Sequence, residues 1–287
     1  VTLEHIMRLR AVTQDSPDAG GAAPAQDLPV PSSVLRAISV IRERYAEPIT
    51  LVGLAAEVYV SPFHFSRLFT RATGVTPGRF ITAVRLFEAK RLLLTTSRSI
   101  TDIVCAVGYA SVGTFTSRFT RAVGLSPSQY RDPAVRSLLL AVSPGLTRLP
   151  PVPTLAAMAG SCGGPGSGAV TARITLPAGV PTARVLIGLF GEPVPQCRPV
   201  AYSGLAAART GDHVTVHGVP PGRWSVLTVA EHAGVVSVGT RPEPVTVTQD
   251  GHAIVTSALR APSPTDAPVA VTLACLPARS PRENVAA

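Results

Sequence analysis

Arg67 and Arg71 in one segment, and Arg118 and Arg121 in another, are the residues whose type and spacing best suit chemistry with a polyanion. A guanidinium keeps its charge at any physiological pH, neutralises phosphate, and can bond two acceptors on one base edge at once. Each pair lies in a run that occurs twice, SPFHFSRLFTRATGVTPGRF from Ser61 and SVGTFTSRFTRAVGLSPSQY from Ser111. At an offset of fifty residues Ser61, Phe65, Phe69, Thr70, Arg71, Ala72, Gly74 and Pro77 meet identical residues. Upstream, with a one-residue slip, Ile49-Thr50 before LVGLAAEV parallels Ile100-Thr101 before DIVCAVGY. Each copy reads as a short helix, a tight turn and a second helix starting at the serine, which is a helix-turn-helix.

The shared positions divide by physical role. Phe65, Leu68, Phe69 and Ala72 form the inward stripe of one second helix, and Phe115, Phe119 and Val123 that of the other. The outward face near each helix start is the part that fits a major groove about 12 Å wide. The first copy offers Phe63, His64, Ser66 and Arg67 there, and the second Val112, Gly113, Thr116 and Ser117, with Arg118 and Arg121 nearby.

The elements that position these tips are legible in the punctuation. Val34, Ile38, Ile41 and Tyr45 form an apolar helical stripe that stops before Pro48. Ser61-Pro62, Thr76-Pro77 and Ser126-Pro127 each put a hydroxyl cap before a proline suited to a first helical turn. Gly74 and Gly124 stand where helices should end. The helix from Thr76 to Thr95 is apolar on more than one side, through Phe80, Ile81, Val84, Phe87 and Leu92 to Leu94, so it suits packing against both copies.

The chain has 287 residues, enough for about two domains. Between Leu28 and Arg131 there are 13 basic and five acidic residues, so this third of the chain carries most of the overall +9 charge. A local excess of that kind is the footprint a polyphosphate partner needs. All but one of the 26 basic residues are arginine, Lys90 being the exception. No apolar stretch reaches the ~18 residues of a membrane helix, and no signal peptide opens the chain, so no membrane partner and a cytoplasmic location are expected. Cys105, Cys162, Cys197 and Cys275 lie far apart, which argues against a disulfide framework or zinc site and predicts reduced thiols.

Residues 33 to 131 resemble the DNA-binding domain of the AraC/XylS family of bacterial transcription regulators. The resemblance rests on Leu54-Ala55, Ser61, Phe65 to Phe69, Gly74, Arg85, Ala89, Leu92-Leu93, Ile100, Ile103, Ala106, Gly108-Tyr109, Phe115, Phe119, Gly124, Pro127 and Tyr130-Arg131. It implies two helix-turn-helix units on successive major grooves of one DNA face, joined by a rigid helix. It assigns base contacts to Phe63, Ser66 and Arg67 in the first unit, and to Val112, Gly113, Thr116 and Ser117 in the second. The second set is less polar than is common in the family and suits thymine-methyl contact more than hydrogen bonding. His64, Arg71, Arg118 and Arg121 are assigned to phosphates, where charge positions the protein without reading sequence.

The expected organisation is a flexible leader over 1–32, the helical domain over 33–131, a Pro/Gly-rich linker over 132–168, a β-domain over 169–276 and a disordered tail over 277–287. In the β-domain, runs such as TARITL, ARVLIGLF, HVTVHGV and RWSVLTVA alternate with turns at Pro220-Pro221-Gly222 and Asp250-Gly251. The fold class is therefore multidomain, an all-α double helix-turn-helix domain followed by an all-β antiparallel sandwich of immunoglobulin-like or transthyretin-like type. His213 and His217 alternate with Val214 and Val216, which favours a solvent face over a metal site. Trp224 and Tyr202 are assigned to the core ahead of a ligand pocket. No nucleophile elbow, phosphate loop or dinucleotide fingerprint occurs, and Cys197 in Pro-Gln-Cys-Arg lacks the histidine of the alkyl-transfer centre found in repair proteins fused to this helix-turn-helix type. No catalytic residue, cofactor or metal is expected.

The function expected is a sequence-specific transcription regulator whose partners are double-stranded operator DNA, RNA polymerase, and a small-molecule effector or protein at the β-domain. The alternative is an interaction protein whose β-domain is the working part and whose helical domain localises it to DNA.

Overall fold

The computed structural model describes residues 30–143, 146–151, 166–241 and 243–274. Helix α1, Ser32–Arg44, buries Val34, Ala37, Ile38 and Ile41, the stripe its spacing predicts. Helices α2 (Leu51–Glu57) and α3 (Pro62–Thr73) form the first unit, and α5 (Ile100–Ala106) and α6 (Val112–Val123) the second. Helix α4, Pro77–Thr95, joins them.

Local chemistry sets these ends. The hydroxyls of Thr50, Ser61, Thr76, Ser99 and Ser111 each accept from the backbone N–H three residues on, satisfying a donor the helix itself leaves unpaired. Gly74 (φ 75°) and Gly124 (φ 80°) close α3 and α6 in the left-handed conformation. Ser111→Ala is expected to cost about 1 kcal/mol, read as a lower urea midpoint at unchanged slope.

The caps correct the register expected between the two copies. Thr50 caps α2 and Ser99 caps α5, and buried Leu54-Ala55 corresponds to buried Ile103-Val104. Thr50 therefore matches Ser99, not Thr101. The additional residue sits in the turn of the second copy, where left-handed Gly108 precedes the Ser111 cap by three positions, whereas left-handed Tyr59 precedes Ser61 by two. Ser126-Pro127 also differs from expectation. Ser126 and Gln129 cap each other reciprocally, at 3.3 and 2.9 Å, and lead into a single 3-10 turn, Gln129–Arg131, in place of an α-helix.

The expected linker begins with regular structure. Helix α7 (Pro133–Ser137), capped by Asp132, leads into β1 (Leu139–Ser143) and β2 (Leu146–Arg148). The remaining strands are β3 (Gly168–Thr175), β4 (Ala183–Phe190), β5 (Ala201–Ala208), β6 (His213–Val219), β7 (Gly222–His232), β8 (Val235–Thr240), β9 (Val245–Val247), β10 (His252–Ala258) and β11 (Val269–Thr272). Residues 152–165 of the expected linker, the leader up to residue 29 and the expected tail lie outside the described residues.

Among the described residues the strands build three sheets, ordered β11-β1-β2, β10-β3-β6 and β5-β4-β7-β8 with β9 paired to β7. Most pairs are antiparallel as expected, but β3 and β10 run parallel. The β5-β4-β7-β8 sheet supplies both main cores of the β-rich region. Val185, Ile187 and Leu189 of β4 pack with Val170 and Ile174 of β3 and Val216 of β6. Leu186 and Phe190 of β4, with Leu227 and Val229 of β7, pack with Leu140 of β1 and Val271 of β11. The region is thus β-rich and built of several sheets, as its strand-rich sequence leads one to expect.

The β11-β1-β2 sheet has a second apolar face. Leu139, Ala141 and Ala270 on that face pack against Phe87 of α4. Lys90, fully buried on the same helix, donates to the carbonyl of Ala270 (2.7 Å) and to the carbonyl and side-chain oxygen of Gln196 (2.8 and 3.0 Å). Arg42 of α1 donates to the carbonyls of Pro264 and Asp266, both at 3.2 Å. The apolar character of α4 on more than one side is thereby explained: it meets the first unit, the second unit and a β-sheet.

Candidate nucleic-acid interface

The exposed tips of α3 and α6 both sit on aromatic supports. Phe65 and Phe69 are fully buried, and Phe69 meets the edge of Phe80 from α4 with ring centres 5.4 Å apart. In the second unit Phe115 and Phe119 are fully buried, and Phe119 meets Tyr130 edge-on at 5.6 Å. Burial of one face of α3 and of α6 leaves the opposite face outward.

The sequence-assigned residues fall on those outward faces. Phe63 is 75% exposed, His64 and Arg67 are exposed, and Ser66 is half-buried. The Arg67 guanidinium lies over the Phe63 ring, 5.8 Å from its centre, so the two side chains act as one amphipathic surface. On α6, Val112, Gly113, Ser117, Arg118 and Arg121 are exposed and Thr116 is half-buried. Gly113, Ser117, Arg118 and Arg121 line one shallow concavity together with Thr114. Thr114 was not among the sequence candidates, although its spacing of three to Ser117 and four to Arg118 places it on their face. Arg71 differs from its counterpart Arg121, because it also lines a cleft against the β-rich region.

Like Arg42, Lys90 and Arg85 are counted in the local charge excess but are committed internally. Lys90 is the buried anchor already described, and its burial pushes the amine down to about 7, with nearby Cys197 acting in the opposite direction. Arg85 donates to the carbonyls of Tyr45 and Glu47, both at 2.7 Å, while its guanidinium lies 5.8 Å from the centre of the Tyr109 ring. It therefore ties the loop before α2 to the turn before α6. The same loop and turn touch elsewhere, since a Cβ on Gly108 would stand 2.4 Å from the Ala46 carbonyl oxygen. Arg85 is a positioning residue linking the two units through α4, a role that only tertiary contacts reveal.

His213 and His217 are exposed and alternate with buried Val214 and Val216 on β6. Trp224 is half-buried against the core, its Nε1–H donating to the Pro220 carbonyl at 2.8 Å, and Tyr202 is buried within the other core. Among the described residues there is no cluster of three metal-ligating side chains and no helix long and apolar enough to cross a membrane.

A family described as a helix-turn-helix domain matches residues 54–133. The lactose operon transcription activator of Staphylococcus xylosus is 32% identical over 102 residues, covering 36% of this chain and 37% of that protein. The melibiose operon regulatory protein of Escherichia coli K12 is 34% identical over 98 residues, covering 34% of this chain and 32% of its own. The bifunctional transcriptional activator/DNA repair enzyme AdaA of Bacillus subtilis is 34% identical over 92 residues, 32% of this chain and 44% of its own. The chain thus matches between about a third and somewhat under half of the length of these relatives. Among solved structures, a transcriptional regulator from Chromobacterium violaceum, described as AraC-type, is 30% identical with a TM-score of 0.33, covering 34% of this chain and 88% of that one.

Proposed function

We propose that the chain is a sequence-specific, DNA-binding transcription regulator of AraC type acting in the cytoplasm, a reading supported by the helix-turn-helix family match over residues 54–133 and by the likeness to operon regulators. Its β-rich region senses a small molecule or holds a protein partner, and RNA polymerase is the target of regulation. One observation carries the reading: two similarly capped helices, α3 and α6, expose basic faces while α4 and Arg85 tie their supports together.

In this reading Arg67 bonds guanine O6 and N7, and Phe63, Ser66, Val112, Gly113, Thr116 and Ser117 approach other base edges. His64, Arg71, Arg118 and Arg121 contact phosphates, and Thr114 joins them from its place in the same concavity. We assign the chain no catalytic role. Cys197 stands on the loop between β4 and β5, outside residues 54–133 that match the helix-turn-helix family.

The test selects bound fragments from a random DNA pool with the full chain, then titrates variants by gel shift. Arg67→Ala is expected to weaken the selected site by about 1–3 kcal/mol and to relax preference at one base pair. Arg121→Ala is expected to weaken all sequences alike and to lower the slope of log affinity against log salt by about 0.9. Failure of the pool to yield any preferred sequence contradicts the proposal. An Arg67→Ala protein with unchanged preference contradicts that residue's assignment.

A further inference from the structure

We infer that the cleft between the end of α3 and the β-rich region is a binding site for a small organic oxyanion, a carboxylate or a phosphate, whose occupancy reports to the first recognition helix. The inference deepens the sensing part of the proposed function and rests on it for its regulatory consequence.

The cleft encloses about 270 Å³. One wall is the end of α3 and its cap, from Arg71 to Val75, and another is Pro193 to Pro195 of the loop between β4 and β5. Strands β7 and β8, with the chain around Arg260 and Asp266, complete it. Ligand sites commonly combine an apolar lining with a few convergent polar groups, and Val75, Val226, Pro193 and Val269 supply such a lining here.

The charged groups are unbalanced. Arg71, Arg241 and Arg260 face the cleft with a single carboxylate, Asp266. That carboxylate is committed. Its Oδ1 accepts from Arg260 Nη2 at 2.6 Å, and its Oδ2 from Arg260 Nη1 at 2.8 Å and from the Ser263 N–H at 2.7 Å. Among the described residues neither Arg71 nor Arg241 has a carboxylate within ion-pair distance. Two guanidiniums, one from each half of the molecule, thus border a small concavity whose single carboxylate, Asp266, is already held by Arg260. A concave site lined by one sign of charge concentrates the opposite ion, and the planar guanidinium fork matches carboxylate and phosphate geometry.

An anion held there bridges α3 to the β-rich region through Arg71. The same arginine is assigned to a DNA phosphate, so the ligand and the duplex draw on one side chain. Occupancy is expected to weaken DNA binding.

The full chain, its Arg241→Ala and Arg71→Ala variants, and Arg173→Ala, an exposed control on β3, are titrated calorimetrically with inorganic phosphate and with citrate. Ionic strength is held constant with chloride. The expected result is saturable binding of at least one anion, weakened at least ten-fold by Arg241→Ala and Arg71→Ala and unchanged by Arg173→Ala. Response to phosphate alone identifies a phosphorylated ligand, and response to citrate alone a polycarboxylate. No saturable binding of either anion, or equal binding by all variants, overturns the site. Gel shifts with and without the bound anion separate the two claims. Binding that leaves DNA affinity unchanged keeps the site and overturns the sensing role.

Discussion

Gly108→Ala is expected to destabilise the protein by about 2–4 kcal/mol, the sum of an unfavourable backbone conformation and an overlap with a neighbouring backbone. Gly108 has φ 78°, which an alanine adopts only with strain. Its added Cβ would also stand 2.4 Å from the Ala46 carbonyl oxygen and 2.8 Å from the carbonyl carbon, atoms that cannot rotate away. Gly124→Ala is the internal control, because its φ of 80° is nearly the same but its Cβ would meet nothing within 4 Å. Its cost is expected to be about 1 kcal/mol, the conformational part alone. Equilibrium urea unfolding of both variants measures the difference. Equal losses contradict the claim that the turn before α6 is pressed against the loop before α2.

The second large effect is a dependence of stability on pH that originates at Lys90. The buried amine is lowered to about 7 from the ordinary lysine value of 10.5, chiefly because burial removes water from the charge. Between those two values the unfolded chain binds more protons than the folded one, so stability rises with pH. The rise approaches 1.4 kcal/mol per pH unit at its steepest and amounts to about 3–4 kcal/mol between pH 7 and 10. The gain is complete above pH 10.5 and is lost as pH falls through about 7. Tyr130 acts with the opposite sign above pH 10, because burial pushes its phenol up and only the unfolded chain ionises there. Urea midpoints from pH 6 to 10 are expected to climb in the parent protein, and Lys90→Met is expected to flatten the climb. A climb of equal size in Lys90→Met excludes Lys90 as its source.

What the sequence conveyed about the helical region came from local signals. Serine and threonine caps, glycines after helices and the recurring phenylalanines depend on neighbours within a few residues, and they place α3, α4 and α6 to within a residue or so. The relation between copies was misjudged because Thr50 and Thr101 both follow isoleucine, whereas the hydroxyls that cap α2 and α5 belong to Thr50 and Ser99. One lengthened turn is enough to mislead a pairing made on residue identity.

The β-rich region was less legible where strands are buried on both faces or composed of small residues. Leu139 to Val142 give no alternation because Leu140 faces the sheet of β4 and β7 while Leu139 and Ala141 face α4. Ala201 to Ala208 lacks the β-branched residues that mark strands, and its place in β5 comes from pairing with β4. The parallel pairing of β3 with β10 joins residues more than eighty positions apart, beyond any turn signal. The candidate DNA-facing residues lie on the outward faces of α3 and α6, which spacing made legible, while their individual roles came from the resemblance. The roles of Lys90 and Arg85 depend on distant carbonyls, so their charge alone suggested a polyanion instead of an anchor.

The central claim is that α3 and α6, tied through α4, engage one face of a duplex together. Hydroxyl-radical footprinting of the full chain on its selected DNA site tests it directly. The account predicts two protected blocks on the same face, separated by about one helical turn, 10–10.5 base pairs. A single block that survives disruption of either helix, or two blocks on opposite faces, would contradict it.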